Sequence, residues 1–311
     1  MTISVVILTC NSEAVIADTI SRAKLVSDDI HVVDSFSRDG TVDLVRAMGA
    51  RCHQRAFADY ADQRNWAISD LDLRYGWQLH LDADEILTQA LVDEINALKA
   101  AWPPGVDGFF IRRLTRFMGR DLLHGGYYPT YHMRLFRTGC VRVEDRKYDQ
   151  HFVLSGTGRT LTAPFVDDHR ASLSEWIARH NRWSDLEVED LEAQEASTAI
   201  RPDAAGNPIE RARFRKAMYY RAPLLLRPFA LFLYKYFVRL GFLDGIPGLV
   251  YCVLQCFWYR FLVDAKLHER RVPHAPFFEP RHLVRAGTAS AAAASGMGEI
   301  QPGMVRDGGH G

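Results

Sequence analysis

The sequence predicts an α/β fold in which a mostly parallel sheet is covered by helices. Three observations predict it. Residues 3–8 form a run rich in β-branched residues, as in a strand buried on both faces. Up to residue 82 the chain then alternates short apolar runs with segments of helical spacing. Three of those apolar runs are followed at once by clustered polar groups, the arrangement found where ligands sit beyond the carboxyl ends of parallel strands.

Each element has its own cause. After the first strand, Thr9-Cys10-Asn11-Ser12-Glu13 can cap a helix that starts near Ala14 and runs through Ile16 and Ile20. Residues 29–33 read as a second strand ending at Asp34, and Ser35 to Thr41 as a polar turn. Val42, Val45 and Met48 then mark a helix that Gly49 stops. Residues 50–54 suit another short strand, and residues 59–69 a helix with Trp66 and Ile68 inward. Arg64 on that helix is free to face the same cleft, where it could meet a phosphate or remain a plain surface residue.

Residues 77–81 read as a buried strand, and Asp82-Ala83-Asp84-Glu85 follows. Carboxylates one residue apart at a strand end can converge on one hard cation, Mg²⁺ or Mn²⁺, which can neutralise a diphosphate leaving group. Alone, such a pair is more often a solvated turn. Right-handed crossovers bring Thr9 to Glu13, Asp34 to Thr41 and Asp82 to Glu85 to one edge, and this shared edge favours a site.

Composition narrows the function. With 311 residues, 48% hydrophobic, the chain can bury a large domain with additions. Lys plus Arg and Asp plus Glu are 38 each, so bulk charge gives no argument for nucleic acid. The five cysteines show no metal or disulfide spacing and are expected to be reduced, in the cytosol. Residues 1–9 lack a basic start and a small-residue cleavage site, so no signal peptide is expected.

Val32-Val33-Asp34-Ser35 with Asp39-Gly40-Thr41, then Gln63-Arg64-Asn65-Trp66-Ala67, then Leu81-Asp82-Ala83-Asp84-Glu85, resemble the family 2 glycosyltransferases. More narrowly, His124-Gly125-Gly126-Tyr127-Tyr128-Pro129, Arg134-Leu135-Phe136-Arg137, Arg179-His180-Asn181 and Gly241 to Gly245 look like the bacterial lipopolysaccharide-core glucosyltransferases and their cell-envelope relatives. The likeness extends over about residues 3–270. It implies a GT-A fold, a nucleotide-sugar donor, a divalent metal and inversion at the sugar carbon. Carried over, Asp34 contacts the donor base with Thr9, Asn11 and Glu13 nearby. Asp82 lies at the ribose or the metal, and Asp84 on the metal. The first loop of relatives often reads Asn-Glu-Glu, and here it is Asn11-Ser12-Glu13, one carboxylate short.

Inverting transfer needs a base across the sugar from the diphosphate. Relatives often read Asp-Glu-His in the region that holds it, with the acidic residue assigned as base. Here the triplet is Asp149-Gln150-His151, which points to Asp149, with Glu144 and Asp145 as alternatives. His169 could complete the metal shell or bond to a loop backbone. Trp176, His180 and Trp183 share a helix face and could line an acceptor groove or fill the core.

Residues 1–200 are therefore expected to be catalytic and 201–270 an amphipathic helical region. Neither of its apolar stretches is an uninterrupted membrane span by sequence. Arginines beside Trp, Phe, Tyr and Leu suit helices lying in a membrane interface, or a hairpin packed on the catalytic domain or a dimer contact. The tail, 271–311, is expected to be disordered. The expected protein works at the inner face of the cytoplasmic membrane on a lipid-linked saccharide acceptor. Whether it forms a homo-oligomer is left open.

Overall fold

The computed structural model describes residues 3–193 and 200–272. The expected tail beyond residue 272 lies outside the described residues.

Four strands form the first half: β1 (Ile3–Thr9), β2 (Ile30–Asp34), β3 (Arg51–Gln54) and β4 (Trp77–Asp82). Helices α1 (Ile16–Ala23), α2 (Thr41–Ala47) and α3 (Tyr60–Ser69) connect them. β1 pairs in parallel with β2 and β4, and β2 with β3. The register sets Thr9 opposite Asp34 and Leu8 opposite Asp82, so three polar loops leave the sheet at one edge.

The second half departs from a mostly parallel sheet. It adds β5 (Glu85–Leu87), α4 (Gln89–Ala100), β6 (Gly108–Phe117), β7 (Arg120–Asp121), β8 (Thr130–Arg137), β9 (Val141–Val143), β10 (Phe152–Leu154) and β11 (Gly158–His169). The nine-stranded sheet runs β3-β2-β1-β4-β8-β6-β11-β5, with β7 on β6. β8 is antiparallel to both neighbours, β6 and β11 are parallel, and β5 is antiparallel to β11. This is a mixed α/β sheet flanked by helices. The main core lies under β1, β4, β6, β8 and β11, where Ile7, Leu79, Leu81, Leu135 and Phe165 are fully buried in one cluster with Ile16 and Ile20 of α1.

The C-terminal helices are α5 (Leu173–Glu192), α6 (Pro208–Tyr220), α7 (Arg227–Leu233), α8 (Gly245–Cys252) and α9 (Tyr259–Arg271). No boundary falls at residue 200, because the chain through Glu269 packs as one compact unit. Phe117 and Trp176 share a cluster with Tyr251, Cys252 and Cys256, and Val188 shares one with Tyr259 and Val263. Trp176 stacks on His180 at 3.4 Å, which makes that pair core rather than groove. The segment Gly241–Arg271 is one helical stretch, long and apolar enough to cross a membrane by length and composition. Pro247 does not interrupt α8 because it falls in the first turn, where a missing N–H costs little, and Gly245, at a φ of 69°, joins the Gly241–Asp244 turn to α8. Arg260 does not break the stretch either, being paired to Glu187.

Glu187 ties these helices together. Its carboxylate accepts from Tyr220 at 2.7 Å, Tyr259 at 2.8 Å and Arg260 at 2.9 Å, and pairs with Lys216 at 2.8 Å. Burial raises its pKa, but Arg260 and Lys216 outweigh that and lower it to about 2. Stability from this group is therefore present above its ordinary value of 4.5 and lost as pH falls from there toward 2. Replacing Glu187 with Ala leaves Arg260 without its carboxylate, while Lys216 keeps Asp149, and is expected to cost about 3 kcal/mol. Urea unfolding at pH 7 and pH 3 checks it, and a variant as stable as the parent at pH 7 removes Glu187 from this role.

Candidate active site

The loop after β1 and the turn after β2 lock together. Asn11 takes a positive φ of 50°, and its Oδ1 accepts from the Arg38 N–H at 2.8 Å. Glu13 Oε2 accepts from the Gly40 N–H at 3.0 Å, and Thr41 Oγ1 accepts from the Ser12 N–H at 2.8 Å. Asp34 is fully buried, and its carboxylate accepts from the Ser37 hydroxyl, the Ser37 N–H and Gln54 Nε2. In this structure it orders the turn. Next to it, Thr9 Oγ1 and Gln63 Oε1 are buried without a hydrogen-bond partner. Such orphaned atoms are what a ligand with donor and acceptor groups would satisfy.

The turn after β4 carries the acids. Asp82 accepts from Arg64 through Oδ1 and from Arg134 through Oδ2 at 2.8 Å. Burial works to raise its pKa, yet Arg134 and Arg64 hold it below the ordinary range. Glu85 receives the Asp82 N–H at 3.1 Å and Arg134 at 2.6 Å, so it fixes the turn. Arg64 corrects the sequence expectation. It is fully buried, donates to the Leu81 carbonyl at 2.8 Å and to Asp82, and has no solvent access for a phosphate. Its guanidinium props the acidic turn instead.

Asp84 meets β11. The Asp168 N–H donates to the Asp84 carbonyl at 3.0 Å. Successive strand residues face opposite ways, so Asp167 and His169 share one face. Ligand atoms of Asp84, Asp167 and His169 lie within 4.8 Å of one another. Burial, then Asp167, pushes the Asp84 carboxyl up to about 7. Asp167 is held low despite burial, by His169 at 3.4 Å and Arg113 at 3.5 Å. His169 Nδ1 is buried without a partner. Two crowded carboxylates and an orphaned imidazole nitrogen fit a hard divalent cation, which would relieve the repulsion and use the free nitrogen. Sequence reasoning missed Asp167 as a ligand, although an Asp-x-His alternation at a strand end was the available signal.

Asp149 lies in a second ion cluster. Its carboxylate accepts from Lys216 at 3.0 Å and Arg213 at 3.2 Å and lies 3.3 Å from His151 Nε2. Burial opposes ionisation, but Lys216, His151 and Arg213 keep its pKa well below the usual carboxylate range. A carboxylate so held stays ionised but is a weaker base than a free one. Its φ of 57° is a left-handed backbone, of the sort that clusters at functional sites. The rings of His151 and His132 lie 6.3 Å apart, and His132 feels the Asp167 charge, so imidazoles span the space between the two clusters. Of the alternatives, Glu144 is buried on Arg213 and Asp145 is exposed.

The model of the Glycosyl transferase family 2 matches residues 4–156, which contain both locked loops and the acidic turn. That stretch is similar to a family 2 glycosyltransferase domain. An uncharacterized glycosyltransferase of Rickettsia typhi is 27% identical across 86% of this chain and 87% of the relative. Another from Rickettsia prowazekii is 37% identical, but over only 30% of this chain and 31% of the relative. Among solved structures, a mannosyltransferase of Pyrobaculum calidifontis with GDP-Man and Mn²⁺ has TM-score 0.45 at 14% identity, covering 94% of this chain and 81% of that one. Glucosyl-3-phosphoglycerate synthase of Mycobacterium tuberculosis, with Mn²⁺ and UDP, has TM-score 0.31 at 23% identity. It covers 37% of this chain and 44% of that one, and neither likeness bears on this transferase's substrate. β11, which supplies Asp167 and His169, lies past the stretch that the family model matches. Two of the three residues that could hold a metal therefore come from the chain that follows.

Proposed function

We propose that this glycosyltransferase is metal-dependent and inverting, and moves a hexose from a nucleotide sugar, a UDP-sugar, to a saccharide of a lipid-linked envelope glycan such as lipopolysaccharide core. The observation that carries the reading is the Asp84, Asp167 and His169 trio at the strand edge where Thr9 and Gln63 leave buried polar atoms unpartnered. Asp84, Asp167 and His169 would hold Mg²⁺ or Mn²⁺, with Asp82 fixed beside them. The bound ion supplies charge neutralisation at the leaving diphosphate. Thr9, Asn11, Glu13 and Asp34 frame the nucleoside. Asp149 takes the proton from the acceptor hydroxyl as that oxygen bonds to the anomeric carbon and the diphosphate departs from the opposite face. The test is transfer from a UDP-hexose to an envelope glycolipid fraction, read by NMR. A product of inverted configuration whose formation EDTA stops supports the reading, and retained configuration overturns it.

The acceptor's lipid anchor is supported by the surface between Leu226 and Val253. Val238 is 67% exposed and Ile246 74%, and Phe229, Leu233, Phe237, Phe242 and Leu243 are exposed with them. A peripheral seat on the inner face of the cytoplasmic membrane would cover these side chains. Deleting the region would strip the core around Trp176, so point changes are the better test. Replacing Phe237 and Ile246 with Asp is expected to weaken flotation with anionic vesicles on the order of 100-fold, at about 1.5–3 kcal/mol per buried side chain. Undiminished flotation removes this surface from membrane contact.

A further inference from the structure

We infer that Arg170 is a positioning residue that fixes the metal trio to the nucleotide loop by clamping the end of β11 onto helix α1. The inference rests on the metal-dependent reading above and assigns a role that reading does not use.

Arg170 follows His169 directly, and each of its three nitrogens has its own acceptor. Nε donates to Asp168 Oδ2 at 2.8 Å, Nη1 to the Ala14 carbonyl at 3.0 Å, and Nη2 pairs with Asp18 Oδ2 at 2.7 Å. Ala14 lies in the loop that follows β1, and Asp18 in the first turn of α1. Asp168 is buried, and its N–H is the group that holds the Asp84 carbonyl. One guanidinium therefore joins three things: the strand end carrying His169, the residue that registers Asp84, and the start of the helix behind the loop of Asn11 and Glu13.

Helix α1 makes a second tie to the same turn. The fully buried Thr19 hydroxyl donates to the Ala83 carbonyl at 2.6 Å, between Asp82 and Asp84. So α1 holds the acidic turn through Thr19 and the β11 end through Arg170. The candidate ligands come from two separate segments, which touch each other directly, and α1 touches both. Groups that orient ligands without touching the metal typically set about 10–100-fold of its affinity. An ion pair as exposed as Arg170 with Asp18, by contrast, contributes little to global stability.

The test is Mn²⁺ binding by electron paramagnetic resonance, with no nucleotide present, on the parent, Arg170→Gln and Thr19→Val. Gln keeps one donor but cannot span three acceptors, and Val keeps the shape of Thr without its hydroxyl. Both variants are expected to bind Mn²⁺ about tenfold more weakly, with Tm within about 3 °C of the parent. Arg170→Lys is expected to fall between parent and Gln. Parent-like Mn²⁺ affinity in both Gln and Val variants overturns the inference and leaves the metal reading standing. Weakening matched by a large Tm loss in both assigns these residues to folding alone, and also overturns it. A parent that binds no Mn²⁺ overturns the metal reading and this inference together.

Discussion

Replacing Asp84 with Ala is expected to lower metal-dependent turnover on the order of 10³-fold. The cause is geometric. Asp84 is the member of the trio that comes from the β4–β5 turn, while Asp167 and His169 come from β11. Without it the two segments no longer share a ligand, and a leaving diphosphate loses its fixed counter-charge. The fold is expected to survive. Burial and Asp167 already push the Asp84 carboxyl up to about 7, so its ionised form costs stability without metal. An acid whose folded pKa is raised weakens the native state as pH climbs from its ordinary value through the raised one. At pH 8 in EDTA the alanine variant should therefore melt no lower than the parent. Steady-state kinetics with Mn²⁺, together with thermal melts in EDTA, check both halves. Near-parent turnover would take Asp84 out of the site.

Asp149→Asn is expected to keep donor binding and lower transfer by about 10²–10⁴-fold, the usual worth of a general base. The amide preserves the side-chain shape, while Arg213 still bonds the Asp149 carbonyl at 2.6 Å and holds the backbone. Donor titration separates this from a damaged nucleotide site. Unchanged transfer would move the base to Glu144 or Asp145. The environment already divides those two: Glu144 is buried on Arg213 and orders the loop through the His151 N–H at 3.0 Å, while Asp145 is exposed.

The first 82 residues are legible in the sequence because their local signals agree with their tertiary setting. The β1 and β2 runs are buried on both faces, so hydrophobicity alone marks them. Their polar loops leave at matched register, which is why the sequence pattern alone groups Thr9, Asp34 and Asp82 at one edge. The second half resists such reading for a physical reason. β6 carries Arg112, Arg113 and Arg116, and β8 carries His132 and Arg134, so neither reads as an apolar or alternating strand. Two of them face the acids of the site: Arg113 pairs with Asp167, and Arg134 with Asp82 and Glu85. Charges that compensate the buried acids also obscure the strands.

Arg64 misleads in the opposite way. Its helix spacing puts it near the cleft, and it is near, but a buried carboxylate competes for a guanidinium as well as a phosphate does, and Asp82 is the nearer anion. Asp167 has only its spacing from His169 to mark it, because β5 pairing with β11, a long-range antiparallel contact, is what brings Asp84 to it.

The measurement closest to the central claim is donor binding by titration calorimetry. UDP-, GDP- and dTDP-sugars would be offered to the folded protein with Mn²⁺ or Mg²⁺, and again with EDTA. Binding of a UDP-sugar that requires the metal and is lost in EDTA is the predicted result. Binding equally tight in EDTA, or no binding of any of these sugars by folded protein, would contradict a metal-dependent transferase built on Asp84, Asp167 and His169.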